Sequence, residues 1–195
     1  MCVEVEKYFK KNKMDGPICL LVGDRRPHVE WTKEMNFDPK KVTLPSFFID
    51  TQETREHWAR YLTDIEGMDQ EMGRVLKFAE KKFGKDFIFL FTSDHGGQWP
   101  FGKWNLYDYG TRVPLQVRWP GKIKAGVRTD AMVSWVDILP TLIDLAGGKV
   151  PTVIDGKSFA PVLLGESKKH REMIFTTNTG DKEMNIFPIR SVRAG

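Results

Sequence analysis

Asp86-Phe87-Ile88-Phe89-Leu90-Phe91-Thr92-Ser93 runs directly into Asp94-His95-Gly96-Gly97, and the fold class turns on how this stretch is read. An unbroken apolar run of this length reads as a strand covered on both faces, the pattern of a parallel sheet lying between helices. In open α/β sheets ligands collect beyond the carboxyl ends of strands. An Asp and a His at such a tip, followed by glycines that let the backbone turn sharply, are candidate metal ligands. The carboxylate would supply charge and the imidazole a neutral nitrogen. The same four residues also suit an ordinary turn.

Upstream, Trp58, Tyr61, Leu62, Ile65, Met68, Met72, Val75, Leu76 and Ala79 recur at helical spacing. They predict one long helix from about Glu53 to Lys82 with a single apolar stripe. Asp50 with Glu53 resembles a capping box at its start, and Gly84 is a natural stop. Residues 3–12 predict a further helix with Val3, Val5, Tyr8 and Phe9 facing inward. Pro17 to Gly23 reads as a short buried strand that carries Cys19. The polar, proline-containing segment from Asp24 to Pro45 is long and irregular, which in a compact domain points to function or disorder.

Downstream, Pro114 to Trp119 predicts a second strand. Asp137 to Ala146 predicts a short helix closed by Gly147-Gly148, with Pro140 tolerated in its first turn. Past Asp155 the character changes. A turn, a brief apolar stretch and a charged loop lead to two further strands, Met173 to Thr177 and Ile189 to Val192. Strand, long helix, strand, strand, helix describes an α/β sandwich.

The chain has 195 residues, 41% hydrophobic and 29% charged, within the range of ordinary globular proteins. Its net charge of +4 comes from cations spread along the chain, so a solvated face accounts for it. No nucleic-acid recognition motif accompanies that charge, and no nucleic-acid partner is expected. No stretch approaches the ~18 apolar residues of a membrane span. Met1 to Lys13 is amphipathic and charged, unlike a secretory signal. Cys2 and Cys19 form neither a disulfide framework nor a zinc spacing.

Three further residues are candidates for chemistry. Lys103 sits among Trp99, Phe101, Trp104, Tyr107 and Tyr109, where a cation could meet an anionic ligand, or simply snorkel at the surface. His28 follows the first apolar run in Asp24-Arg25-Arg26-Pro27-His28, as a ligand-binding group or a plain polar surface residue. Arg112 reads better as a structural partner for a buried carboxylate. His57 and His170 read as structural or exposed.

Together these pieces resemble the sulfatase family of the alkaline phosphatase superfamily. Phe91 to Gly96, followed by Gly102-Lys103-Trp104-Asn105-Leu106-Tyr107-Asp108-Tyr109-Gly110-Thr111-Arg112-Val113-Pro114, is similar to that family's second signature region. Pro27-His28, Leu44-Pro45, Gly73-Arg74-Val75-Leu76, Val136 to Leu142 and Asp155-Gly156-Lys157-Ser158 extend the match over nearly the whole chain. Trp99-Pro100-Phe101, Asn105-Leu106-Tyr107 and Phe187 to Val192 look most like heparan N-sulfatases (sulfamidases) and related bacterial enzymes.

The resemblance implies an alkaline-phosphatase-like α/β sandwich with a mostly parallel sheet. Residues 1–165 would belong to the sheet domain and 166–195 to the start of a small C-terminal α+β subdomain. It implies hydrolysis of a sulfate ester or sulfamate on a sulfated carbohydrate. Asp94 and His95 would bind a divalent metal, calcium in most sulfatases. Lys103 would neutralise a sulfate oxygen, His28 would hydrogen-bond the sulfate or leaving group, and Arg112 would stay structural behind them. The family's nucleophile is a formylglycine made from Cys or Ser in Cys/Ser-x-Pro/Ala-x-Arg. Neither Cys2 nor Cys19 lies in that motif, and the family's paired aspartates are also missing. The expectation is therefore a partial sulfatase with no turnover by itself and with exposed apolar surface that limits solubility. Sulfatases are commonly periplasmic, secreted or lysosomal, but the chain shows no targeting segment. Compartment, oligomeric state, sugar and linkage stay open. A phosphonate or phosphodiester hydrolase of the same superfamily, and a noncatalytic anion-binding remnant, are the competing readings.

Overall fold

The computed structural model describes residues 1–180 and 187–195 and divides into two compact units. The first comprises Met1–Gly84 with Gly97–Pro100, the second Lys85–Gly96 with Phe101–Gly195.

The first unit is built on two helices, α1 (Cys2–Lys11) and α2 (Gln52–Phe83). The 3.6-residue stripe read from the sequence is α2, and Gly84 ends it with a positive φ of 80°. Its cap is Thr51, whose hydroxyl accepts the Thr54 amide, rather than the predicted Asp50. Asp50 instead accepts from Arg55, whose guanidinium also donates to the carbonyls of Pro39 and Val42 and so straps that loop to the helix. Cys2, Val5 and Phe9 of α1 pack on Val75 of α2. Val3 and Tyr8, predicted inward, are exposed, because the buried face of so short a helix is the narrower i, i+3, i+7 stripe.

Pro17 to Gly23 forms no strand, and Cys19 and Leu21 are exposed. An apolar run becomes a strand only where a neighbour pairs its amides and carbonyls, and none of the described strands does so. The following loop is ordered by polar groups on α2. Buried Asp64 accepts the Thr32 amide, and buried Thr63 accepts the Asn36 amide. Trp31 stacks on Trp99 with centroids 4.5 Å apart, in a cluster with Phe48, Trp58 and Tyr61.

In the second unit, β1 (Phe89–Thr92) pairs with β2 (Leu115–Arg118), and β3 (Met173–Asn178) pairs with β4 (Ile189–Ala194). Both pairings are antiparallel, where the sequence predicts a mostly parallel sheet. The apolar run at Phe87–Phe91 predicts a strand covered on both faces, but β1 is only half-buried along its length, and an apolar composition does not specify the direction of its neighbour. Between the pairs lie α3 (Asp108–Thr111), a 3₁₀ turn (Trp135–Asp137), α4 (Ile138–Leu145) and α5 (Ala160–Leu163). Ser134 and Asp137 form a reciprocal capping box that starts the turn leading into α4. Thr141, fully buried, donates to the Asp137 carbonyl and accepts the Phe159 amide. Among the described residues no helix is long and apolar enough to cross a membrane.

Candidate functional site

Asp94 and His95 stand where the sequence places them, in the turn that follows β1. The turn is fixed by its own polar groups. The Asp94 carboxylate accepts the His95 amide at 2.9 Å, and the Ser93 hydroxyl donates to the His95 carbonyl at 2.9 Å. The Ser93 carbonyl, at the end of the strand, accepts the Trp135 indole N–H at 2.9 Å.

These bonds decide how the imidazole faces. His95 Nδ1 lies 2.8 Å from the Gly96 carbonyl, which can only accept, so Nδ1 carries the proton. In the neutral ring the lone pair is then on Nε2, which lies 3.4 Å from Asp94 Oδ2. Two donors about 2.0–2.4 Å from one cation, at roughly right angles, would stand about 3 Å apart. A metal ligand whose other ring nitrogen is pinned by a carbonyl is the usual arrangement for histidine. The pair therefore fits as part of a metal shell. Two donors do not complete one, and no cluster of three or more His, Cys, Asp or Glu occurs among the described residues.

Lys103 lies in the same unit, in the loop entering α3. Its ammonium sits 5.0 Å from the Trp104 ring centroid, a cation–π contact. The residues flanking it are held tightly. Phe101 and Trp104 are the two non-glycine residues with positive φ among those described, at 63° and 68°. The Gly96 amide donates to the Gly110 carbonyl at 2.9 Å, joining the Asp94-His95 turn to the loop that carries Lys103. A Cβ on Gly96 would lie 1.7 Å from the Tyr109 carbonyl oxygen, and one on Gly110 would lie 2.2 Å from the Asn105 carbonyl oxygen. Both positions demand glycine for close backbone approach.

His28 belongs to the first unit. Its amide closes a turn onto the Arg25 carbonyl at 2.8 Å, and Nδ1 hydrogen-bonds the Val29 carbonyl. It lines an open pocket of about 640 Å³ with Arg25, Arg26, Val29, Glu30, Thr32 and Asp64. Arg26 is committed to Asp24 through a bidentate pair, which holds the Asp24 carboxyl below its ordinary value against the opposing effect of burial. Of the aromatic residues read as surrounding Lys103, Trp99 packs in the aromatic cluster of the first unit.

Arg112 is exposed, so the buried-carboxylate role falls elsewhere. The buried carboxylate is Asp137, fully enclosed, and its guanidinium partner is Arg171. Asp137 also accepts the amides of Ser134 and Lys157, each at 2.9 Å, and stands 3.1 Å from His170 Nε2. The structural reading of His170 agrees with this placement. Nothing local in the sequence ties Asp137 to residues 34 positions away.

The sulfatase family model matches residues 2–148 of the chain. An ulvan-active sulfatase of Formosa agariphila is 31% identical over 97% of the chain and 38% of its own length. Human N-sulphoglucosamine sulphohydrolase is 31% identical over 84% of the chain and 34% of its own length. Among solved structures, one determined with its substrate D-glucosamine-2-N,6-O-disulfate superposes with a TM-score of 0.64 at 27% identity, covering 75% of this chain and 32% of that one. A phosphonate monoester hydrolase of Silicibacter pomeroyi superposes with a TM-score of 0.58 at 29% identity, covering 72% and 29%. The chain thus spans about a third of the length of these relatives.

Proposed function

The chain belongs to the sulfatase family, and from that premise we propose that it supplies metal- and sulfate-binding groups to a hydrolase of sulfate esters or sulfamates on carbohydrate. The observation that carries this reading is the backbone bond between Gly96 and Gly110, which couples the Asp94-His95 pair to the Lys103 loop. Residues 1–165 then represent part of the sheet domain, and residues 166–195 the start of the C-terminal subdomain.

Asp94 and His95 would contribute two ligands to a divalent cation, calcium by family habit. The imidazole nitrogen would also accept a transition metal. When bound, the cation supplies positive charge to the sulfuryl oxygens. Lys103 would neutralise a non-bridging oxygen of the same group. For His28, which lies in the first unit, family resemblance alone suggests a hydrogen bond to a sulfuryl or departing atom. Moving a sulfuryl group to water builds negative charge on those atoms, and fixed cationic donors lower that barrier without reorganising. A formylglycine nucleophile requires a motif that residues 1–195 do not contain, so it would come from sequence outside them.

Similarity to a phosphonate monoester hydrolase favours a second reading, with a phosphonate or phosphodiester as the anion. Calorimetry separates the two. Titrating the chain with D-glucosamine-2-N,6-O-disulfate in calcium should give saturable binding, stronger than that of phenylphosphonate. Lys103→Ala should weaken it about tenfold or more, the effect of removing a charged hydrogen bond. Asp94→Asn or chelation should abolish the calcium dependence. Stronger binding of the phosphonate would favour the second reading, and an unchanged Lys103→Ala affinity would refute the assignment of that residue.

A further inference from the structure

Lys103 lies on a loop whose backbone is unfavourable in isolation. Phe101 and Trp104 both adopt left-handed φ values that side chains with a Cβ avoid. Such a conformation persists only where surrounding contacts over-determine it. Within the loop, the Asn105 amide reaches the Gly102 carbonyl at 3.0 Å and the Gly110 amide reaches the Tyr107 carbonyl at 2.8 Å. Two further contacts come from the β3–β4 hairpin, more than seventy residues later in the chain. Asn178 Nδ2 donates to the Trp104 carbonyl at 2.9 Å, and Arg193 forms an ion pair with Asp108.

The Asn178 side chain is set for this task at both ends. Its Oδ1 accepts the Gly180 amide at 2.8 Å, which fixes the amide orientation and aims Nδ2 at the loop. Asn is depleted in strands, and here it is the last residue of β3, paired with Ile189 of β4. Its bond falls on the peptide of Trp104, the positive-φ residue whose ring carries the Lys103 ammonium. Arg193, on the partner strand, holds the residue that opens α3.

We infer that Asn178 and Arg193 are positioning residues: the β3–β4 hairpin clamps the Lys103 loop and presets the ammonium for its anion. The role of Lys103 toward sulfate rests on the proposed function above, while the clamp itself does not. Asn178 is the stronger member, since the Arg193–Asp108 pair is half exposed and such pairs contribute little singly.

Two measurements on the full chain test the clamp and separate it from the sulfate assignment. The first needs no ligand. In Asn178→Ala, hydrogen exchange of the Asn105 and Gly110 amides should accelerate about fivefold, the effect of one lost hydrogen bond. Exchange of the α4 amides should stay unchanged. Asn178→Asp, which keeps the acceptor for Gly180 and loses the donor to Trp104, should accelerate the same loop amides. Unchanged loop exchange in both variants overturns the clamp. The second measurement is an NMR titration with sodium sulfate against a sodium chloride control. Asn178→Ala should weaken sulfate affinity about fivefold, and the same substitution in a Lys103→Ala background should add nothing, since it acts through Lys103. An equal effect in both backgrounds overturns the positioning role. If the wild-type chain shows no sulfate response while the exchange effect is present, the clamp stands and the sulfate assignment of Lys103 falls.

Discussion

Asp137→Ala is expected to remove about 3–5 kcal/mol from the stability of the second unit, the scale of breaking a buried ion pair by deleting one partner. The carboxylate has no exposed surface, and five donor atoms converge on it: two of Arg171, the Ser134 and Lys157 amides, and His170 Nε2. Removing it leaves Arg171, whose side chain is 18% exposed, without its counter-charge. It also undoes the capping box at the turn preceding α4.

The same carboxylate gives the stability a pH signature. Burial alone would raise its pKa, but the Arg171 hydrogen bonds, the Lys157 and Ser134 amides and the Arg171 charge override it and hold the group at about 2, against an ordinary 3.8. A carboxyl depressed in the folded state stabilises fully above its unfolded pKa. That stabilisation fades as pH falls from about 3.8 through about 2. The gap corresponds to about 2 kcal/mol. Urea unfolding at pH 7 should show the mutational loss, and the difference between wild type and Asp137→Ala should narrow by about 2 kcal/mol as pH falls through that window. A loss under about 1 kcal/mol at neutral pH would contradict the account.

Gly96→Ala is expected to destabilise the second unit by about 3 kcal/mol, the upper range for forced overpacking. The new Cβ would meet Tyr109 O at 1.7 Å, Tyr109 C at 2.7 Å and Gly110 Cα at 3.0 Å. All three are backbone atoms, so no side-chain rotation relieves the clash. The turn and the loop must separate, and the Gly96–Gly110 hydrogen bond goes with them. Loss of sulfated-sugar binding should accompany the lowered melting temperature. Gly73→Ala is the control. Gly73 lies inside α2 with nothing within 4 Å of the added atom, so alanine there should stabilise by about 0.5–1 kcal/mol. A Gly96→Ala protein that melts and binds like wild type would show that the two segments are not coupled.

Much of this architecture is legible in the residues because local periodicity determines it. The α2 stripe and its glycine stop place that helix to within a residue at each end. The strand cores at Phe89–Thr92, Leu115–Arg118 and Met173–Asn178 follow from apolar runs bounded by turn residues. Asp50 and Thr51 are both capping types one position apart, and only the observed Thr54 amide bond chooses between them. Partnership is what a run of residues does not encode. Pro17 to Gly23 has the composition of a strand and no described neighbour, and the apolar β1 gives no hint that β2 runs against it. The site divides the same way. Asp94 and His95 stand out at a strand tip followed by glycines, a pattern that equally suits an ordinary turn, and their proposed role, like those of Lys103 and His28, comes from family resemblance. Asn178 reaches Trp104 across 74 residues, and its one sequence cue is an asparagine in a strand otherwise suited to Thr and apolar residues.

Manganese titration followed by paramagnetic broadening in amide NMR spectra probes the metal pair most directly, because Mn²⁺ accepts the carboxylate and imidazole donors expected here. Broadening should begin at the Asp94, His95 and Gly96 amides, extend next to Gly110 and the Lys103 loop, and vanish in Asp94→Asn. Broadening that starts elsewhere, or that persists at His95 once the Asp94 carboxylate is gone, would contradict a metal site at the end of β1.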